Sequence, residues 1–478
     1  MSKPYILLIT ADQLRKDALG CYGNRTIETP NLNSLAQTGI KFNKAYTVSP
    51  WCLPARASIL TGLFPHNNGA YSNFRDCSLD NKIPNIFTEL KKTGYSTALV
   101  GKCHFAPVPY NITVPDKTLP YDDFKEYYMS LGMDHLDLQD DKQVSVWFYD
   151  DYSKELDKAG YLKAYRDAVW DKSKAKVFQF PGPAEWHPDA WVGRKAVEYI
   201  EKYDGDNPFF MWVSFSGPHF TFDAPAEYYE RVDISKDTGR KVFEGEFDKP
   251  GKIHFESFNG GGRIEGCGMA PGKACKNYPE EYWTKLRRSY FANVALIDDE
   301  VGKILSAVQN RFGDNALIIF TADHGEMLGN HGLWGKHNCA YEDVWNIPML
   351  VKYPGQQGGY DTNVKVQLTD IFPTCLKAAG VRQIDCDGTD LKENIDEGGY
   401  KYVFGEGEGY ISVSDGTVKY VRIHKENEQG RNEDFRELTD LSKDPYETGN
   451  LVDDPAYSKK LAELQGKVID LFMKKLLT

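Results

Sequence analysis

The sequence contains no apolar run near the roughly 18 residues needed to cross a bilayer, so no membrane-spanning helix is predicted. The apolar stretch before Asp12 is also too short for a signal peptide. We therefore expect a cytoplasmic protein, or an exported one if a leader has been removed. The nine cysteines lack C-x-x-C spacing, so neither a zinc motif nor a disulfide framework is predicted, and a local pair of Cys267 and Cys275 is the alternative to free thiols.

A basic excess is missing too, because 57 Lys and Arg residues face 69 Asp and Glu residues and give a net charge of −12. Proteins that bind nucleic acids by neutralising phosphates need the opposite balance, so no nucleic-acid partner is expected. The chain has no internal repeat or low-complexity tract. Its 41% of hydrophobic and 26% of charged residues are the ordinary balance of a globular protein. An anionic substrate would therefore need a locally basic pocket.

Short continuous apolar runs alternate with helical patterns along most of the chain. The runs predict buried parallel strands at 5–9, 97–100, 209–215, 316–320 and 348–351. The helical patterns lie at 29–39, 83–92, 190–203 and 282–308. This alternation predicts an α/β fold in which helices sandwich a large, mostly parallel sheet. Residues 105–188 and 223–279 lack clean periodicity, and we expect them to be insertions over one face of the sheet.

The pattern changes after a helical run at 368–379. Three short runs predict antiparallel strands, and an amphipathic stretch predicts a closing helix. These segments are 401–404, 411–413, 418–423 and, for the helix, 457–477. The sequence thus predicts a catalytic domain at 1–381 and a smaller α+β domain, with a short antiparallel sheet, at 382–478.

Four of the predicted strands end in polar residues that could carry chemistry. These residues are Asp12, Gln13, Lys102, His104, His219, Asp323 and His324. Ligands of open α/β sheets bind beyond the carboxyl ends of the strands, so we expect these side chains to meet at one edge. Carboxylate and amide oxygens suit Ca²⁺ or Mg²⁺ better than zinc. With Arg56, Lys102 and Lys336 as positive donors, the set is typical of sulfuryl or phosphoryl transfer.

The segment 49–62 reads SPWCLPARASILTG. It resembles the C-x-P-x-R…T-G signature of the formylglycine-dependent, or type I, sulfatases of the alkaline phosphatase superfamily. Further stretches fit the same family in the same order, at 94–104 (GYSTALVGKCH), 321–326 (TADHGE), 335–336 (GK) and 441–447 (LSKDPYE). The resemblance therefore covers nearly the whole chain. It implies that Cys52 is oxidised after translation to formylglycine by a maturing enzyme, and that the hydrated aldehyde is the nucleophile.

The resemblance also implies a role for each matching residue. It assigns a Ca²⁺ ion, with Mg²⁺ as an alternative, to Asp12, Gln13, Asp323, His324 and an oxygen of the residue made from Cys52. It assigns the sulfuryl oxygens to Arg56, Lys102 and Lys336. His219 would protonate the leaving alcohol, and His104 would take the proton that allows sulfate to leave. His331 and His337 are additional candidates for contact with the substrate.

Three functions are compatible with these residues. The first is a sulfatase that acts on a small-molecule or glycan sulfate ester, such as a sulfated sugar. The second is a phosphonate monoester or phosphodiester hydrolase with the same formylglycine, since the pairs Asp12-Gln13 and Asp323-His324 are similar to those of such enzymes. The third is a catalytically inactive protein that binds anionic glycans, in which Cys52 would stay unmodified. The sequence does not predict an oligomeric state.

Overall fold

The computed structural model describes residues 3–74, 76–107, 119–171, 176–248, 252–259, 275–336, 341–382, 384–426 and 432–477. The strands in these ranges are β1 (Tyr5–Asp12), β2 (Ile40–Tyr46), β3 (Ser96–Gly101), β4 (Leu119–Pro120), β5 (His135–Leu138), β6 (Phe148–Tyr149), β7 (Phe209–Pro218), β8 (Ala316–Ala322), β9 (Asn346–Lys352), β10 (Tyr360–Gln367), β11 (Val403–Gly407), β12 (Tyr410–Ser414), β13 (Val418–Glu426) and β14 (Asn432–Asp440).

The α-helices in the same ranges are α1 (Pro30–Thr38), α2 (Cys52–Thr61), α3 (Pro65–Asn68), α4 (Ile86–Lys91), α5 (Asp122–Ser130), α6 (Asp151–Lys158), α7 (Leu162–Trp170), α8 (Pro188–Lys202), α9 (Ala226–Glu230), α10 (Phe255–Asn259), α11 (Glu280–Phe312), α12 (Glu342–Trp345), α13 (Ile371–Ala378), α14 (Leu391–Asp396) and α15 (Ser458–Leu477). None of them is both long and apolar enough to cross a membrane, as far as the described residues go.

One sheet of eight strands organises the molecule, in the order β10-β2-β9-β8-β1-β7-β3-β5. β1 pairs in parallel with β7 and β8, and β3 pairs in parallel with β7 and β5. The central strands β1, β7 and β8 are almost entirely buried because both faces of the sheet are covered. α11 packs on both α1 and α8, and a second group of mutually packed helices is α2, α4 and α13. The predicted α/β sandwich around a large, mostly parallel sheet is confirmed.

The predicted parallel direction of the strand at 348–351 is wrong. The strand exists as β9, but it runs antiparallel to both of its neighbours, β8 and β2. A continuous apolar run reports burial on both faces of a strand and carries no information about its direction. The strands β2 and β10 were not predicted, because partly exposed residues such as Lys41 and Lys365 interrupt their apolar character.

The expectation that 105–188 lies wholly over one face of the sheet is also wrong. Its described residues include β5, which extends the sheet by pairing in parallel with β3. The four residues of β5 alternate between half-buried and buried positions, and a run this short gives little periodic signal. The segment at 223–279 contains α9 and α10 within its described residues.

The strands β11 to β14 form the predicted antiparallel sheet, in that order. α15 packs on this sheet, with Leu464 buried among Val413, Val418 and Tyr420. The sheet also reaches the larger unit, because the backbone N–H of Glu406 donates to the carbonyl of Val48 at 2.8 Å. The position of a domain boundary at residue 381 stays a prediction.

Candidate active site

The ends of β1, β3, β7 and β8 bring the predicted polar residues to one edge of the sheet. Asp12 is the last residue of β1, and Asp323 directly follows β8. Lys102 directly follows β3, and His219 directly follows β7. Because β7 pairs in parallel with both β1 and β3, and β1 with β8, the four ends are adjacent. This is the edge at which open α/β sheets bind their ligands.

Cys52 lies in the middle of these side chains. It is the first residue of α2, a helix in which every residue is buried. Its Sγ is 2.9 Å from Lys336 Nζ, 3.2 Å from His324 Nε2 and 3.8 Å from Asp12 Oδ1. The N-terminus of a helix favours negative charge, because its first N–H groups lack helical partners and the dipole is positive there. The helix N-terminus and Lys336 therefore favour negative charge on residue 52, while burial and the carboxylate of Asp12 oppose it.

Arg56 lies one turn further along α2 and contacts residues at or near the ends of β8, β3 and β7. Its Nε is 3.0 Å from Asp323 Oδ2, and its Nη1 donates to the carbonyl of Lys102 at 3.0 Å and to Ser214 Oγ at 2.7 Å. Its Nη2 is 3.6 Å from Asp12 Oδ2 and has no hydrogen-bond partner among the described residues. The guanidinium is fully buried, so this N–H group is well placed to bind a further acceptor.

Two histidines lie beside this group, and they differ in the hydrogen bonds that their ring nitrogens make. His104 is buried, and neither of its ring nitrogens has a hydrogen-bond partner within the described part of the chain. The Nδ1 of His219 donates to the carbonyl of Phe220 at 2.5 Å. That bond makes Nε2 of His219 the nitrogen through which a proton can be exchanged.

Sequence reasoning missed Asp141, which follows β5 and joins the site. Its Oδ2 is 2.7 Å from Lys102 Nζ and 3.9 Å from His219 Nδ1. The preceding Asp140 accepts the backbone N–H of His104 at 2.8 Å and so holds the loop that carries this histidine. The available signal was the sequence QDDK at 139–142, which follows a strand too short to be recognised.

The charges of the site are strongly coupled. Burial alone would raise the pKa of Asp12, but the neighbouring cations, Lys102 foremost, hold it well below its ordinary value. Burial alone would lower the pKa of Lys102, but Asp12 and Asp141 hold it well above its ordinary value. The paired carboxylates of the site are Asp12, Asp141 and Asp323, and their cations are Arg56, Lys102 and Lys336. A divalent cation would add positive charge to this balanced set and so favour an anionic substrate.

The residues present fit a bound metal ion. One ligand atom from each of Asp12, Cys52, Asp323 and His324 lies within 4.8 Å of the others, and all four residues are buried. His324 Nδ1 donates to the carbonyl of Gly325 at 3.0 Å, which leaves Nε2 as an acceptor 3.6 Å from carboxylate oxygens of Asp12 and Asp323. Burial lowers the pKa of His324 to about 4, so its ring is neutral, the form that binds metals.

Gln13 lies beside these four residues and contacts Asp323 and Lys336. Its backbone is in the left-handed region with φ of 64°, and its N–H donates to Asp323 Oδ1 at 3.0 Å. Its side-chain Oε1 accepts a hydrogen bond from Lys336 Nζ at 2.7 Å. Lys336 thus contacts both Gln13 and the sulfur of Cys52, and the predicted residues at positions 13, 52, 323 and 336 are brought together.

The two remaining predicted residues are not part of this group as described. His331 Nδ1 is 2.9 Å from both carboxylate oxygens of Glu246, and its ring stacks on Tyr341 with centroids 4.1 Å apart. A role for His331 in substrate binding stays a prediction. His337 lies outside the described residues.

Comparisons with known proteins agree over the length of the chain. The family described as Sulfatase matches residues 4–381, and the family described as N-sulphoglucosamine sulphohydrolase, C-terminal, matches residues 329–474. An arylsulfatase of Clostridium perfringens is 29% identical over 97% of this chain and 93% of its own. An N-acetylglucosamine-6-O-sulfatase of Bacteroides thetaiotaomicron is 26% identical over 97% of this chain and 85% of its own. In fold, the chain is similar to a phosphonate monoester hydrolase of Agrobacterium radiobacter, with a TM-score of 0.77, 22% identity and coverage of 98% and 96%.

Proposed function

The chain belongs to the type I sulfatase family of the alkaline phosphatase superfamily and is a sulfuric ester hydrolase, and on this basis we propose that it removes sulfate from a sugar with an oxidised Cys52 as its nucleophile. The observation that carries the proposal is the position of the Cys52 sulfur, 2.9 Å from the Lys336 ammonium and 3.2 Å from the neutral His324 ring. A cysteine in an ordinary core would be surrounded by apolar groups instead.

The unmodified thiol is a poor nucleophile in this environment. Burial and the neighbouring Asp12 raise the pKa of Cys52 to about 11, although Lys336 and Lys102 act in the opposite direction. The reactive thiolate is therefore scarce at neutral pH. Formylglycine at this position would supply, as a hydrate, one hydroxyl for attack on sulfur and a second whose deprotonation would allow sulfate to leave. A maturing enzyme that oxidises Cys52 is accordingly a partner of this protein.

The residues that would hold the metal are Asp12, Gln13, Asp323 and His324, with an oxygen of residue 52. Oxidation of Cys52 replaces the one sulfur ligand by oxygen, and a set dominated by oxygen favours Ca²⁺, or Mg²⁺, over zinc. Such a cation would lower the pKa of a hydroxyl group beside it and offset the charge of the buried carboxylates. Asp323 belongs to the same group, its Oδ2 is 3.0 Å from Arg56 Nε, and it would act as the base toward that hydroxyl.

Arg56, Lys102 and Lys336 are the residues that would bind the sulfuryl oxygens. Lys336 already contacts the atom at position 52, and Arg56 has an N–H group with no partner among the described residues. Lys102 is kept charged by Asp12 and Asp141. Buried donors of this kind stabilise charge that develops in the transition state more strongly than donors in water.

His219 and His104 would divide the proton transfers. We assign general-acid catalysis to His219, through Nε2. Burial and Lys336 hold the pKa of His219 well below its ordinary value, and the negative charge of a bound sulfate ester raises it. Burial, Lys102 and Arg56 also hold His104 in its neutral form, the state in which an imidazole accepts a proton. His104 would therefore act as the base when sulfate is released.

Replacement of His219 by alanine should depend on the leaving group. General-acid catalysis contributes about 10²–10⁴-fold, and it matters most for a sugar alkoxide, which leaves poorly without a proton. An acidic nitrophenol leaves without one. We expect His219→Ala to lose about 10²–10⁴-fold in kcat on a sugar sulfate and far less on 4-nitrophenyl sulfate. The control is His135→Ala, since His135 pairs with Asp137 on the edge strand β5. Equal losses on both esters would show that His219 is not the general acid.

We also propose that the alcohol part of the sulfate ester is a sugar. One relative is named for the 6-O-sulfate of N-acetylglucosamine, which supports a sulfated sugar here. Steady-state kinetics on a panel of defined sulfated monosaccharides and 4-nitrophenyl sulfate tests it. We expect at least one sugar sulfate to have the highest kcat/KM. Turnover of the aryl ester alone would contradict a sugar substrate while leaving the sulfatase reaction intact.

A phosphonate monoester or phosphodiester substrate is the second candidate. It is favoured by the neutral Gln13 among the metal-binding residues, a feature similar to enzymes of that class, and the fold match to a phosphonate monoester hydrolase is compatible with it. The two candidates share the site and differ only in the group transferred. A comparison of matched sulfur and phosphorus esters therefore distinguishes them.

A further inference from the structure

The orientation of the Gln13 amide decides what this residue presents to the site. An amide has an acceptor oxygen at one end and a donor NH₂ at the other, so its direction is read from its partners. Lys336 Nζ donates to Oε1 at 2.7 Å, and Nε2 donates to Oε2 of Glu326. An ammonium can only donate and an ionised carboxylate can only accept. These two partners together hold the amide oxygen on the side of Lys336 and Cys52.

Glu326 is fully buried and also holds the loop that leads to Lys336. Its Oε1 accepts the backbone N–H of Leu328 at 3.0 Å and the backbone N–H of Gly335, the residue before Lys336. Three N–H groups therefore converge on one carboxylate, and none of them requires it to donate. Glu326 thus orients Gln13 through Oε2 and holds the backbone that leads to Lys336 through Oε1.

We propose that Glu326 is a positioning residue that keeps the amide oxygen of Gln13 facing the metal-binding residues. The inference rests on the proposed function, in which Gln13 contributes an oxygen ligand to Ca²⁺. Glu326 itself has no described contact with Cys52, so it acts through Gln13 and the 326–335 loop. Partners that orient metal ligands in this way typically change metal affinity by about 10–100-fold when they are replaced.

The test is Glu326→Gln, a substitution of nearly the same shape. The new amide oxygen can still accept the N–H groups of Leu328 and Gly335, so the loop keeps its hydrogen bonds. Its NH₂ group then faces the NH₂ group of Gln13, which must turn and present a donor to the cation. We expect the calcium dissociation constant, measured by calorimetry, to rise by about 10–100-fold and the calcium-dependent rise in Tm to shrink.

A compensating substitution separates orientation from a general loss of structure. In the double variant Gln13→Glu/Glu326→Gln, the carboxylate at 13 accepts from the amide at 326 and from Lys336, and an oxygen again faces the cation. We expect calcium affinity to recover toward that of the unsubstituted protein, a non-additive effect that a double-mutant cycle measures. If Glu326→Gln does not fold, the double variant alone decides, because it should fold and bind calcium.

Asp370→Asn is the matched control. Asp370 is a buried carboxylate that accepts hydrogen bonds from Gln367, Thr389 and Tyr400 and has no described contact with Gln13 or Cys52. The substitution Asp370→Asn should lower Tm without changing calcium affinity. Unchanged calcium affinity in Glu326→Gln, or no recovery in the double variant, would overturn the inference about Glu326 and leave the metal assignment standing. Absence of calcium binding by the unsubstituted protein would overturn the metal assignment and this inference together.

Discussion

Replacement of Cys52 by alanine is expected to lower kcat on a sulfate ester by on the order of 10⁶-fold, the size of effect seen when a covalent nucleophile is removed. The physical reason is that Lys336, His324 and Asp12 surround the side chain of residue 52, and alanine offers them no reacting oxygen. In the unsubstituted protein, activity should rise in proportion to the fraction of Cys52 that is oxidised. Mass spectrometry of the tryptic peptide 45–56, with kinetics on the same preparation, measures both quantities.

Cys375→Ala is the control for loss of a buried thiol. Cys375 lies on α13 and is as fully buried as Cys52, but it has no described contact with the site. Its replacement should leave kcat unchanged. Full turnover by a preparation in which Cys52 is entirely a thiol would contradict the proposed nucleophile. It would also reopen the possibility that Cys52 acts as a metal ligand in its reduced form.

Removal of the metal is expected to lower kcat by about 10³-fold, equivalent to about 4 kcal/mol of lost charge stabilisation in the transition state. Asp12→Asn should act in the same direction, because it replaces an anionic ligand by a neutral one. It also leaves Asp141 as the one ion-pair partner of Lys102 among the described residues. Chelation should also lower Tm, since an ion that binds only the folded protein stabilises it by mass action. Calorimetry with Ca²⁺, elemental analysis and kinetics give the three readouts.

Asp137→Asn provides the matched control for the metal experiment. Asp137 lies on β5 and pairs with His135 and Lys195, so its charge is removed without touching the site. Calcium affinity and kcat should be unchanged in this variant. A rate that survives exhaustive chelation, with the absence of metal verified by elemental analysis, would contradict the metal assignment.

The sheet and the edge that carries the site could be predicted because their signals are local. The runs before Asp12 and Asp323 are continuously apolar, and both are followed by the same Thr-Ala-Asp sequence. Parallel neighbours then bring these residues together without further information. The cysteine motif could be read in the same way, since Cys52 and Arg56 lie one helical turn apart on α2.

The remaining features depend on contacts between distant segments. Asp141, after β5, pairs with Lys102, after β3, although the two residues are 39 positions apart in the sequence. The four residues of β5 are too few to give a recognisable strand pattern. The antiparallel direction of β9 is set by its connections and not by its composition. The bond between Gln13 and Glu326 spans 313 residues, and the stretch TADHGE at 321–326, which ends in Glu326, does not indicate that Gln13 is its partner. Such contacts follow from the assembled fold alone.

The central claim is that the enzyme with oxidised Cys52 belongs to the sulfatase family and also prefers sulfate esters to phosphorus esters. The most direct test is kcat/KM for 4-nitrophenyl sulfate against that for a 4-nitrophenyl phosphonate monoester and a 4-nitrophenyl phosphodiester, on one preparation of known Cys52 oxidation. The leaving group is the same in all three esters, so only the transferred group differs. We expect the sulfate to be favoured by about tenfold or more, or about 1.4 kcal/mol. A higher kcat/KM for either phosphorus ester would contradict the account.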